Sequence, residues 1–103
     1  MRENLLETED FVAARQRISG RVHRTPCASA TALGDLLGIR LHLKAELFQK
    51  TGSFKVRGVL NRLETMPAEE RERGLVSMSA GNHAAALSWG AASCGVRAVI
   101  VMP

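Results

Sequence analysis

The stretch Leu75-Val76-Ser77-Met78-Ser79-Ala80-Gly81-Asn82-His83, running on through Ala84–Cys94 to Val96–Met102, decides the fold. Leu75–Met78 is a short apolar run of strand length. Ala84–Cys94 reads as a helix full of small residues (Ala84, Ala85, Ala86, Gly90, Ala91, Ala92), which predicts close approach to a sheet. Val96–Met102 is almost continuously apolar, as a parallel strand covered on both faces should be. Strand, helix and strand form a βαβ unit whose crossover is expected to be right-handed. The fold class is therefore α/β, a parallel sheet with flanking helices. A further loop and helix normally follow such a strand, so the pattern predicts more chain after Pro103.

Working outward, Val56, Val59, Leu60 and Leu63 stand at i, i+3, i+4 and i+7 and predict an amphipathic helix starting near Ser53. Before it, residues 39–46 alternate strictly. Ile39, Leu41, Leu43 and Ala45 fall on one face and Arg40, His42, Lys44 and Glu46 on the other, the pattern of a half-buried strand. Residues 29–37 read as a short helix capped by Ser29 and closed by Gly38, with Leu33, Leu36 and Leu37 inward. Residues 9–19 read as a first helix, with Thr8 as its cap, Phe11, Ala14 and Ile18 at helical spacing, and Gly20 at its end. Pro67 opens another short helix whose 69–73 charge run is a solvated face.

Composition sets the outer bounds. The 103 residues are 46% apolar and 23% charged, globular values that argue against disorder. The length suits one domain or part of one, burying roughly 60–65% of its unfolded surface if it closes on itself. No apolar run approaches the ~20 residues of a membrane helix. The start, MRENLLETED, carries acids where a signal peptide is apolar, so no secretory route is expected. Cys27 and Cys94 are too few and too unpatterned for a disulfide framework or a zinc site, and His23 and His42 lack partners at ligand spacing. A reduced, cytoplasmic protein without metal is expected. The net charge of +4 comes from 14 cations, 11 of them arginine, scattered without a run, and aromatics are only 4%. Nucleic-acid binders cluster charge and interleave aromatics, so no such partner is expected. No P-loop or dinucleotide fingerprint occurs.

Two segments carry more than scaffold. In Thr51-Gly52-Ser53-Phe54-Lys55, a helix starting near Ser53 places Lys55 in its first turn, where the dipole disfavours an ammonium ion. Burial would act in the same direction, and a partly neutral lysine is what Schiff-base chemistry requires. The alternative is a surface lysine laid along apolar neighbours. Phe54 falls opposite the apolar stripe, odd for a core residue and tolerable beside a ligand. In Ser79-Ala80-Gly81-Asn82-His83, a turn at the carboxyl end of a strand offers backbone N–H groups at a helix N-terminus, suited to a carboxylate or phosphate. The alternative is an ordinary capped turn. His83 is either an acid/base or a structural, hydrogen-bonded histidine.

Together, Lys44-Ala45-Glu46-Leu47-Phe48-Gln49-Lys50-Thr51-Gly52-Ser53-Phe54-Lys55-Val56-Arg57-Gly58 resembles the cofactor-lysine segment of the pyridoxal-phosphate enzymes of the threonine dehydratase and serine racemase family. Ser79–His83 resembles their asparagine loop, Val99–Pro103 the strand after it, and Arg24-Thr25-Pro26 an early Thr-Pro turn, with Cys27 where an aliphatic residue is usual. The resemblance implies an incomplete fold type II architecture. Residues 1–70 would be the N-terminal part of the large domain and 71–103 the first half of the small one. It implies pyridoxal 5'-phosphate as cofactor and Lys55 as the Schiff-base lysine that later removes the substrate's α-proton. Phe54 would pack near the cofactor ring, Asn82 would bond its 3-hydroxyl oxygen, and Ser79, Gly81, Asn82 and His83 would form the substrate loop. The implied reaction is elimination of water from a hydroxy amino acid such as serine or threonine, giving a 2-oxo acid and ammonia. Lys55-Val56-Arg57-Gly58 resembles the dehydratases rather than the cysteine and threonine synthases, and Ala80 stands where racemases carry a serine. Lys50 and Thr51 resemble positions that touch a nucleotide effector in animal serine racemases, with an ordinary loop surface as the alternative. The family's glycine-rich phosphate loop, pyridine-nitrogen partner and divalent-cation ligands are not in the 103 residues, so the chain alone is expected to be inactive and its full-length parent a homo-oligomer. A racemase portion of the same fold and a non-catalytic module are the competing readings. The second predicts a stable compact monomer or a defined complex without cofactor, against which an exposed sheet edge after Val101 and missing covering helices argue.

Overall fold

The computed structural model describes residues 5–103; the start of the acidic N-terminal stretch, residues 1–4, lies outside them. In chain order the elements are α1 (Thr8–Ile18), β1 (Cys27–Ser29), α2 (Thr31–Leu37), β2 (His42–Lys44), two 3₁₀ turns (Glu46–Phe48 and Lys50–Gly52), α3 (Lys55–Thr65), α4 (Ala68–Arg73), β3 (Leu75–Met78), α5 (Asn82–Ser93) and β4 (Ala98–Val101). β3 and β4 pair in parallel, with Leu75 opposite Ala98 and Met78 opposite Val101. Helix α5 connects them, so the βαβ unit is present as expected. No helix among the described residues is long and apolar enough to cross a membrane.

The core lies between α3 and α5. Val56, Val59, Leu60 and Leu63 of α3 are all buried, the stripe read from the sequence. They meet Ala86, Leu87 and Ala91 of α5, with Ile18, Met66 and Val96 closing the edges. The small residues of α5 thus serve a helix more than a sheet. A Cβ on Gly90 would lie 2.6 Å from Val59 Cγ1 and 3.2 Å from Leu63 Cδ1. Glycine there is what allows the two backbones to approach.

The N-terminal third departs from expectation. The alternating segment 39–46 contributes only His42–Lys44 as strand, fully exposed and antiparallel to β1, in a sheet separate from β3–β4. Its C-terminal end is diverted because Glu46 enters a 3₁₀ turn and an ion pair. Leu33, Leu36 and Leu37 face outward at 47%, 81% and 56% exposure. Helix α2 rests instead on Gly34, whose missing Cβ would stand 2.7 Å from the Ile39 carbonyl oxygen, so contact along that line excludes the leucines. Ser29 lies in β1 and Ala30 takes the capping position of α2. At α1 the helix already includes Thr8, and the Glu7 N–H donates to Asp10 Oδ2 at 2.9 Å. Phe11 is exposed, whereas Ile18 is buried. One face of the parallel pair is also open. Leu75 and Ser77 of β3, with Ala98 and Ile100 of β4, are half-buried, while Val76, Met78, Val99 and Val101 face water.

Candidate active site

Lys55 is the first residue of α3. Its N–H donates to the Oγ of buried Ser53 at 3.4 Å. The side chain is exposed, so the burial invoked from the sequence is not present. Its ammonium stands 5.2 Å from the centroid of the Phe54 ring, within cation–π reach, and Phe54 is itself 59% exposed. Both line a cavity of about 450 Å³ between α3, β3 and α5, shared with Val59, Ser77, His83 and Leu87. His83 therefore joins Lys55 at one cavity. Its Nε2 lies 3.1 Å from Ser77 Oγ, which sets the ring against β3.

Ser79, Gly81 and Asn82 do not line that cavity. They form the turn from β3 into α5, directly before His83. Ser79 Oγ accepts the N–H groups of Gly81 (3.2 Å) and Ala84 (3.3 Å). The N–H groups of Asn82 and His83 have no hydrogen-bond partner among the described residues. The turn keeps two backbone donors at a helix N-terminus, the arrangement that suits an anion.

The segment leading to Lys55 is held by polar contacts that periodicity does not report. Glu46, placed by alternation on a solvent face, accepts from Arg57 Nε at 2.9 Å and from a second Arg57 nitrogen at 2.8 Å, and also from the Thr25 hydroxyl. Arg57's hydrogen bonds, supported by Thr25 and opposed by desolvation, hold the Glu46 carboxyl down at about 2. The same pairing raises the Arg57 guanidinium above its ordinary value. Lys44 Nζ donates to the Thr25 carbonyl at 2.7 Å. Buried Gln49 accepts the N–H groups of His23 and Lys50, each at 2.9 Å, and donates to the His23 carbonyl at 2.8 Å. These bonds fasten the Arg24-Thr25-Pro26 turn to the lysine segment. Ser77 also escaped the sequence reading; its one signal was a polar residue on the same strand face as Leu75. Nothing in the spacing linked Glu46 to Arg57.

The result is a parallel βαβ unit beside a lysine-headed helix, with an aromatic ring and a histidine at one cavity. That is the class of an α/β fold with a small-molecule-sized cavity at its helix–sheet junction. A family model described as pyridoxal-phosphate dependent enzyme matches residues 18–103, and the chain belongs to that family. It is 42% identical over 99 residues to the L-threonine ammonia-lyase of Thermotoga maritima, covering 96% of this chain and 25% of that enzyme. Among solved structures, maize serine racemase superposes with a TM-score of 0.84 at 40% identity, covering 94% of this chain and 30% of that one. A threonine deaminase from T.th. gives 0.79 at 44% identity, covering 95% and 31%. The fold is thus a partial fold type II pyridoxal-phosphate-enzyme architecture. The chain spans about a quarter to a third of the length of these relatives.

The residues fit the cofactor of that family. A primary amine for the aldehyde (Lys55) and a ring able to cover an aromatic face (Phe54) border one cavity. Its size lies within the range of small-molecule sites.

Proposed function

We propose that these residues are the N-terminal portion of a pyridoxal-phosphate-dependent serine/threonine ammonia-lyase, which removes water from a hydroxy amino acid to give a 2-oxo acid and ammonia. The observation that carries the reading is the meeting of Lys55, Phe54 and His83 at one cavity. When bound, the cofactor supplies an electron sink for charge developing at the substrate α-carbon. Lys55 would hold it and, once released, take the α-proton on its Nζ. Phe54 would pack on the ring and Asn82 would hold the ring's 3-hydroxyl oxygen. Ser79, Gly81, Asn82 and His83 would bind the substrate carboxylate, with the unpartnered Asn82 and His83 N–H groups as donors. Within this reading residues 1–70 belong to a large domain and 71–103 to a small one. A cytoplasmic location and a homo-oligomeric parent go with it.

Racemisation is the second reading, favoured by the likeness to maize serine racemase. It needs an acid on the face opposite Lys55, and the methyl group of Ala80 has no proton to give.

The test is to add pyridoxal phosphate to the purified chain, reduce with borohydride and map the adducts by mass spectrometry. A dominant adduct on Lys55, absent from Lys55→Ala, is expected. Equal labelling of Lys44, Lys50 and Lys55 would sink the assignment. For the complete enzyme, chiral analysis after incubation with L-serine is expected to show pyruvate without D-serine. D-serine as the main product would instead favour the racemase.

A further inference from the structure

We propose that Thr51 is a positioning residue for Lys55, acting through the shape of its side chain in a strained turn. The inference rests on the reading of Lys55 as the cofactor lysine. Thr51 is the single non-glycine residue with positive φ among the described residues, at φ 62° and ψ 9°. For a β-branched side chain that conformation is a true outlier. Its hydroxyl is also buried without a hydrogen-bond partner among the described residues. Two unfavourable features thus fall on one residue, four positions before Lys55. A glycine would remove both, so folding alone gives no reason for threonine here. Strain that neighbours over-determine is a mark of function.

The neighbours do over-determine it. On one side Gln49 is buried and bonded to His23 and Lys50. On the other, Gly52 is also left-handed at φ 75°, and Ser53 is buried and receives the Lys55 N–H. The two left-handed residues reverse the chain between these anchors. Before the reversal, the Lys50 ammonium lies 4.9 Å from the Trp89 ring centroid on α5; after it, Lys55 begins α3 at the cavity. Thr51 therefore stands where the lysine helix is referenced to the helix that carries Asn82 and His83. Since its hydroxyl makes no bond, the volume of the half-buried side chain is what restricts the turn. Glycine at this position would accept the backbone but leave the turn free to swing.

The experiment compares Thr51→Gly and Thr51→Val with the unaltered full chain. Far-ultraviolet circular dichroism reports folding. Borohydride-trapped pyridoxal phosphate, mapped over Lys44, Lys50 and Lys55, reports selection of the lysine, and induced visible circular dichroism reports how the bound chromophore is held. Thr51→Gly is expected to keep its helical signal yet lose at least tenfold in Lys55 selectivity and most of the visible signal. Thr51→Val, which keeps the shape and drops the hydroxyl, is expected to stay within about twofold of the unaltered chain. Thr51→Gly behaving as the unaltered chain overturns the proposal. So does Thr51→Val failing as badly as Thr51→Gly, because shape is then not the agent. Loss of the helical signal in Thr51→Gly also overturns it, since folding is assigned no need of threonine. An unaltered chain that does not prefer Lys55 refutes the underlying reading first, which distinguishes the two failures.

Discussion

Glu46 and Arg57 are eleven residues apart in sequence, yet their two hydrogen bonds fasten the approach to Lys55. The folded value of the Glu46 carboxyl, about 2, is below its ordinary 4.5. Folding therefore favours the ionised form. The stabilisation is complete above 4.5 and is lost as pH falls from there towards 2. A shift of that size converts to about 3 kcal/mol. With the Glu46 and Arg57 side chains 17% and 31% exposed, solvent screening lowers the contribution to about 1–2 kcal/mol. Glu46→Gln is expected to destabilise the chain by about that amount at neutral pH. The gap should close as the medium is acidified, measurable by urea denaturation at a series of pH values. A gap independent of pH would show that the carboxylate's charge is not what the pair contributes. Alternation assigned Glu46 to a solvent face because a period of two reports only which side of a strand a residue takes, not what stands opposite.

Helix α3 carries the largest fully buried side chains, Leu60, Leu63 and Val56, and its approach to α5 depends on Gly90. Mid-helix glycine weakens α5 by about 1 kcal/mol relative to alanine. The space it leaves for Val59 and Leu63 accounts for glycine there. The atom a Cβ would strike is a γ-carbon of Val59, a β-branched side chain with one strongly preferred helical rotamer, so it cannot swing aside. Gly90→Val is expected to lower stability by about 2 kcal/mol or more through overpacking. Thermal denaturation checks this, and an unchanged melting temperature would mean that the helices separate without penalty. The small-residue pattern of α5 was legible in the sequence, whereas its partner was not. Small residues announce close approach, but a helix and a sheet make the same demand.

The 103-residue molecule is expanded, 51 × 39 × 29 Å with a radius of gyration of 16.7 Å. A compact domain of this length has a radius of about 13 Å. It exposes 7796 Å² of surface, against about 5,700 Å² for a compact monomer of this size. Much of that surface is apolar. Val76, Met78, Val99 and Val101 form an open sheet face, and Leu33, Leu36 and Leu37 project from α2. Contiguous apolar surface with unpaired strand edges favours association. The isolated chain is therefore expected to bind a hydrophobic dye strongly and to sediment as concentration-dependent oligomers. A Met78→Lys/Val101→Lys variant should reduce both several-fold. A monomeric, dye-silent chain would contradict this and revive the reading as an independent module.

Helix α3, the strand–helix–strand unit and the lysine motif were legible along the chain, because periods of 3.6 and 2, glycine and proline punctuation, and short motifs are local signals. Leu60 and Leu36 show where that legibility ends. Both belong to apolar helical patterns, yet one is fully buried and the other 81% exposed. Which pattern is covered depends on what packs against it, and an apolar residue carries no record of its neighbour. The same holds for β2, whose alternation suits any sheet and whose antiparallel partner was set by the turn that Thr25, Glu46 and Arg57 clamp. It holds again for Thr51, whose strain arises from anchors on both sides and has no signature in its own side chain. Local signals name the elements and the reactive groups, and contacts between residues distant in sequence choose their neighbours.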